Sequence, residues 1–298
     1  EKSISLSLKL AIKSENPIAV KTDSIPIRRG LIYAYLPTKQ PSFMPLHINA
    51  DFYPDPSRKS INLSGGQHQQ KWNELLIEGA AEIIAIELET MTKHISHKDL
   101  FELLLTSYKA HNNKDFPFTS FWSCIENSIK DGAKVFYNSK GLYEALDNMA
   151  YDKNLNQRKD DELSIFYRAG GKLLHEDYLN HRSHHFSINF LEEIGINKLS
   201  IKKFSSIIYK SDLLDPYKNE VSNPSEQEIN EIFVPLWSYA DAIIALEAIE
   251  VSDVGSIEFA LTITGSMTRI DNLQTAPNQL KNSELANILK LDGYSADF

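Results

Sequence analysis

The stretch from Gly30 to Gly79 limits the fold more than any other part of the chain. Leu31 to Leu36 and Leu46 to Tyr53 are rich in β-branched and aromatic residues, which suit a pleated, half-buried surface. The segment between them carries Pro37, Pro41 and Pro45 and reads as a connecting loop, so two neighbouring strands are expected. From Gln67 to Thr92 the apolar residues Trp72, Leu75, Leu76, Ala80, Ile83, Ile84 and Leu88 recur at helical spacing. A helix with such a stripe has to bury it, and the adjoining sheet offers the surface. The expected class is α+β: a mixed sheet with long helices packed on one face, followed by a second α+β, largely helical domain.

Between strand and helix lies Pro54-Asp55-Pro56-Ser57-Arg58-Lys59-Ser60. Proline stops a β-ladder, Asp and Ser favour turns, and the two cations are left on a loop at the end of a sheet, where a group that must reach a ligand often sits. Arg58 is the principal candidate. Without further context such an arginine is a solvated surface charge.

The order of these features resembles a known family. Leu36-Pro37, His47-Ile48-Asn49-Ala50-Asp51-Phe52, Ser57-Arg58 and Trp72-Asn73 follow one another as in the transducer (middle) region of sacsin-like GHKL ATPases, the superfamily that includes the ninety-kilodalton heat-shock chaperones. That resemblance implies a split active site. ATP and Mg2+ would be held by an upstream Bergerat-type module, none being bound stably by this chain alone, and Arg58 would reach the γ-phosphate from the next domain. Charge on the transferring phosphoryl oxygens has to be neutralised, a task suited to a planar, permanently charged guanidinium. Lys59 would assist electrostatically and Ser57 by hydrogen bonding. Alone, the fragment would hydrolyse almost nothing. The resemblance further implies coupling of ATP binding to reorientation of the C-terminal domain, with a protein client or partner gripped or released in a chaperone-like or prokaryotic defence role, and a homodimer as one assembly. The alternative is a non-catalytic protein–protein interaction module, favoured by the lack of a self-contained catalytic constellation.

Two further motifs point elsewhere and are incomplete. Leu63-Ser64-Gly65-Gly66-Gln67 spells the signature of ABC-type ATPases, yet no G-x-x-x-x-G-K-[ST] loop occurs and Ile83 to Glu87 lacks the aspartate of a Walker B strand. It reads as a glycine turn at a helix start. Glu144-Ala145-Leu146-Asp147-Asn148 has the E-x-x-x-N spacing of a Bergerat site, but no D-x-G-x-G follows.

Thirty-one basic against forty acidic side chains leave a formal net charge of −9, which argues against a nucleic-acid partner. No run of about 18 apolar residues is present to span a membrane. A single cysteine, Cys124, permits no internal disulfide, and the cytoplasm is the expected compartment. The chain opens at Glu1 directly in a strand pattern, as a piece cut from something longer or a processed protein would.

Along the chain, Ile4 to Ile12 alternates as a half-buried strand, Ile18 to Lys21 is a short one, and Arg28 and Arg29 add charge before Gly30. A second helix opens at Ser96 or His97 and a third covers Phe118 to Ile129. The character changes after Lys130-Asp131-Gly132, which sets the expected domains at 1–131 and 132–298. Val135 to Tyr137 reads as a strand, Leu142 to Met149 as a helical turn or two, Asp152 to Asp161 as a charged, solvated linker loop, and Leu163 to Ala169 as a strand. Four of nine histidines, His175, His181, His184 and His185, fall close together. No cysteine partner and no H-E-x-x-H accompany them, so a polar loop is the better reading than a metal site, and an independent zinc hydrolase ranks last. Phe190 to Asn197 reads as a helix ended by Gly195, Leu199 to Tyr209 as a helix opened by Ser200, and Asn223-Pro224-Ser225 as the start of a helix that Pro235 kinks or divides. Ile257 to Thr264 is a strand candidate and Leu285 to Leu291 a helix candidate.

Overall fold

The computed structural model describes residues 30–65, 68–115, 117–181, 184–218 and 224–245, together with 260–261 and 267–268. The expected strands before Gly30 and the helix at Leu285 to Leu291 lie outside the described residues, as does most of the Ile257 to Thr264 strand. In chain order the strands are β1 (Leu31–Ala34), β2 (Leu36–Pro41), β3 (Ile48–Asn49), β4 (Phe136–Tyr137), β5 (Tyr143–Glu144), β6 (Met149–Tyr151), β7 (Lys172–Leu173), β8 (Asn197–Lys198), β9 (Ala260–Leu261) and β10 (Met267–Thr268). The helices are α1 (His68–Ile86), α2 (Leu88–Met91), α3 (His97–Asn112), α4 (Thr119–Lys130), α5 (Asp160–Arg168), α6 (His184–Glu193), α7 (Ile201–Lys210), α8 (Asp215–Lys218), α9 (Glu226–Glu228) and α10 (Val234–Ala245). The architecture is α+β, with small sheets and packed helices. Its residues fall into two compact units, 1–147 with 177–195, and 148–176 with 196–298. The boundary in packing at Asp147 comes later than the change of character after Lys130, and a later segment returns to the first unit.

The first unit is built on the sheet β2-β1-β3, in which β1 runs antiparallel to β2 and parallel to β3. The proline-rich segment expected as a loop is thus strand β2, a correction with a simple cause. As an edge strand it is flanked by one strand only, so Pro37 and Pro41 interrupt no second ladder there. Gly30 leads into β1 where a Cβ would lie 1.6 Å from the Leu46 carbonyl oxygen, so no larger residue fits this close approach. Helix α4 packs against both α1 and α3. Helix α3 opens at Ser96, whose hydroxyl accepts the Asp99 amide at 3.1 Å. Tyr108, Trp122 and Phe190 meet with ring centroids 5.2–5.4 Å apart and bring α3, α4 and α6 onto one aromatic core.

The expected helical turns at Leu142 to Met149 are instead β5 and the start of β6. Gly141 at φ 80° and Asn148 at φ 57° turn the chain, and Tyr143 pairs with Tyr137 across the β4–β5 ladder. Glu144 therefore lies in a strand and Asn148 in a turn, so the E-x-x-x-N spacing does not share a helix face.

The second unit has a three-stranded parallel sheet ordered β7-β6-β8. Its crossover α5 occupies the segment expected as a strand. Acidic Asp160, Asp161 and Glu162 fill its first turn, and Glu162 reaches back to the Lys159 amide. Gly171 lies where a Cβ would come within 2.4 Å of the Phe166 ring. Phe166, Phe204 and Tyr239 pack at 5.0–5.8 Å between ring centroids and join α5, α7 and α10. Ser200 caps α7 by accepting the Lys203 amide at 3.2 Å; in the first unit, Gly195, at φ 95°, follows α6 as its terminator.

The long C-terminal helical segment starts with a capping box at Ser225 and Glu228. It then widens to π-type hydrogen bonding over Ile229–Phe233 and resumes as α10 at Val234. Pro235 lacks an amide proton and its ring would strike a carbonyl one turn earlier. The π stretch just before it makes room, so the helix is remodelled at the proline.

The run from Asp152 to Asp161, expected as a solvated linker, is an ordered part of this unit. Asp152 accepts from Arg158 Nε at 2.7 Å with both side chains 5% exposed, and the Arg158 guanidinium lies 5.0 Å from the centre of the Tyr239 ring. Charge density in a sequence does not distinguish a solvated run from one whose charges close on each other in the core.

Candidate functional site

The loop carrying Ser57, Arg58 and Lys59 joins β3 to α1. Its stem is a short antiparallel pairing: Asn62 N donates to Tyr53 O at 3.0 Å, Asp55 N to Ser60 O at 2.8 Å, and Pro54 bridges Ile61. A further backbone bond from Lys39 N to Lys59 O, at 2.8 Å, ties the loop to β2. The sheet edge and the loop are thus continuous.

Asp55 organises the loop from within. Its carboxylate accepts the Ser57 hydroxyl at 2.9 and 3.0 Å on its two oxygens, the Lys59 amide at 3.0 Å, and the Ser60 hydroxyl at 3.1 Å. Desolvation opposes the charged form, but the hydroxyls of Ser57 and Ser60 and the amides of Ser60 and Lys59 together outweigh it, holding the carboxyl below its ordinary pKa. Arg58 N donates to Asp55 O at 2.9 Å, and Arg58 itself has φ 55°, a left-handed conformation that side chains larger than glycine adopt at a cost.

The side chain of Arg58 is exposed, and among the described residues it makes no ion pair. Lys59 is exposed beside it. The Ser57 hydroxyl is turned onto Asp55, where it holds the loop. Of the three residues singled out in the sequence, two present cations outward and one is structural glue.

Below the loop, the Trp72-Asn73 pair has a definite role. Asn73 is fully buried, with Oδ1 accepting Tyr53 N at 2.8 Å and Nδ2 donating to Tyr53 O and Asn62 O at 2.9 Å each. Trp72 Nε1 donates to Asp51 O at 2.9 Å. The Asp51 carboxylate takes a hydrogen bond from the Tyr35 hydroxyl, and this bond, more than charge, raises the Tyr35 pKa. Tyr35 sits at φ 62° in the β1–β2 turn. The hairpin tip, the end of β3 and α1 therefore meet at Asp51. His47, in the same motif, accepts the Leu31 amide on Nδ1 at 3.0 Å and packs edge-on to Tyr33.

Gly65, in the Leu63 to Gln67 motif, adopts φ 106° after the loop. Among the clustered histidines of the first unit, His181 Nε2 lies 2.8 Å from Glu102 Oε2, and His184 Nδ1 lies 2.5 Å from Leu179 O. These two imidazoles have protein partners of different kinds. His97, read from the sequence only as a helix start, bonds Asp177 at 2.7 Å and stacks on Tyr137 at 4.4 Å.

Asp55 and Asn73 are the residues that sequence reasoning missed as parts of the site. Asp55 was legible only as a turn former, and Asn73 only as half of a motif. An asparagine in the middle of an apolar helix stripe was the available signal, since a buried amide must find partners.

No family model, curated protein or solved structure matches this chain.

Proposed function

We propose that this chain is the transducer segment of a sacsin-like GHKL ATPase, in which Arg58 contacts the γ-phosphate of ATP held by an upstream nucleotide-binding module. The observation that carries the reading is the contrast within one loop: the side chains of Asp55, Ser57 and Ser60 are tied to one another, while the Arg58 guanidinium is exposed at the tip with Lys59 beside it. A cation offered on an ordered scaffold stabilises developing phosphoryl charge without reorganising at the moment of reaction. Lys59 adds positive potential beside it. Hydrolysis would be coupled to movement of the second unit and to a client or partner, in a chaperone-like or defence-related role.

The test is steady-state ATP hydrolysis by the protein that includes the nucleotide-binding module, comparing wild type with Arg58→Ala at matched nucleotide occupancy. A fall in kcat of about tenfold to 10³-fold with ATP binding retained is the expected result. Unchanged turnover removes Arg58 from the reaction. That outcome favours the second reading, a protein-interaction module, for which the exposed Tyr35 and Leu36 at the β1–β2 tip speak.

A further inference from the structure

Resting on the reading of Arg58 as the phosphate-contacting residue, we infer that Asn73 and Asp55 are its positioning residues, and that the Arg58 loop is carried by helix α1 as one body. The geometry divides the work between them. Asp55 closes the upper half of the loop, taking the amide of Lys59 and the hydroxyls of Ser57 and Ser60 on one carboxylate. Asn73 grips the lower half, with one amide group bonded to both stem residues, Tyr53 and Asn62.

Asparagine suits this place for definite reasons. Its carbonyl accepts one amide and its NH2 donates to two carbonyls from a side chain short enough to remain beside the helix. Aspartate would keep the acceptor and lose both donors. Leucine, of similar size, would take this partner from Tyr53 N and Asn62 O and leave Tyr53 O with the Asn62 amide alone.

The consequence concerns motion. Swinging the loop on its stem would break hydrogen bonds to a side chain that is fully buried and strand its polar groups away from water. Trp72 adds a fourth bond from the next helical position to Asp51, on the strand side of the same stem. Displacing α1 together with the sheet edge breaks none of these four bonds, and the bond from Lys39 N to Lys59 O keeps β2 in the same body. The Arg58 guanidinium therefore advances or retreats with α1 and the sheet edge together.

The experiment pairs two readouts on Asn73→Asp, Asp55→Ala and Asp55→Asn. Hydrogen–deuterium exchange on the protein reads the amides of Lys59, Ser60 and Asn62. Steady-state kinetics with the nucleotide-binding module reads kcat and KM for ATP. Asn73→Asp and Asp55→Ala are expected to speed loop exchange by about tenfold or more while the second half of α1 stays protected. They should also lower kcat by about tenfold at unchanged KM. Asp55→Asn, which retains an oxygen for the Lys59 amide, should recover most of the loss. Unchanged loop exchange in Asn73→Asp and Asp55→Ala overturns the inference. So does faster exchange with kcat intact in a protein whose Arg58→Ala variant is impaired. If Arg58→Ala itself leaves kcat untouched, the ATPase reading fails alone, and the exchange rates still decide whether Asn73 and Asp55 hold the loop to α1.

Discussion

Arg158 and Asp152 form an ion pair that is 95% shielded from water, with Nε 2.7 Å from a carboxylate oxygen and a second contact at 3.4 Å. Asp152 also accepts the Asn154 amide at 2.9 Å and the Tyr239 hydroxyl at 3.3 Å. Two charges in such a place are tolerable only together. Arg158→Ala leaves a buried carboxylate without its cation and is expected to lower stability by about 3–5 kcal/mol. Urea unfolding followed through tryptophan and tyrosine fluorescence checks this. A loss below about 1 kcal/mol would mean that water reaches Asp152.

Gly30 and Gly132 separate steric from conformational demands on glycine. Gly30→Ala sets a methyl group against the Leu46 carbonyl and is expected to cost at least about 3 kcal/mol, toward the severe end of overpacking. Gly132, at φ 97°, has open space around it, so Gly132→Ala meets only backbone strain, on the order of 1 kcal/mol. Thermal unfolding of the two variants should rank them in that order.

Alkaline titration should destabilise the second unit. Burial pushes Tyr167 up to about 12, and burial together with the hydrogen bond to Glu228 pushes Tyr217 up to about 12. In the unfolded chain both ionise near 10. A raised folded pKa means that their contribution is complete below pH 10 and is lost progressively as pH rises from 10 to 12. Denaturation midpoints across that window should fall. Tyrosinate absorbance should show a late-titrating class that merges with the main class in denaturant.

Helix caps give smaller, cleaner effects. Ser96 accepts the Asp99 amide and donates to the Asp99 carboxylate at 2.7 Å, and Ser225 forms the capping box with Glu228. Ser96→Ala and Ser225→Ala are each expected to cost about 1 kcal/mol, and replacement by aspartate about half as much or less. Chemical denaturation of the single and double variants should give additive losses, because the caps belong to separate units.

Local chemistry was enough to read α3, α4 and α7 from the sequence. Each has a helical apolar stripe, and Ser96 and Ser200 mark two of their starts. Gly195 announced its turn for the same reason, since φ 95° is unfavourable for any residue that carries a Cβ. The Ser57-Arg58-Lys59 turn was legible because proline and aspartate bend a chain wherever they occur. These features depend on contacts within a few residues, so the sequence holds everything needed to infer them.

Other features required the fold. Prolines at 37 and 41 made β2 look like a loop until its place at the sheet edge showed that the missing donors interrupt no second ladder. The short apolar run after Asp161 read as a strand, whereas it forms helix α5, with Phe166 packed on Phe204 and Tyr239. The charges of Asp152 and Arg158 looked solvated until burial brought them together. Asn73 likewise acquires its meaning from Tyr53, twenty positions away, and from Asn62, eleven away. The sequence by itself determined the local turns, caps and amphipathic faces, whose energies come from near neighbours. Only the tertiary structure decided which polar groups would be buried and with whom, because desolvation depends on everything that surrounds a group, most of it distant along the chain.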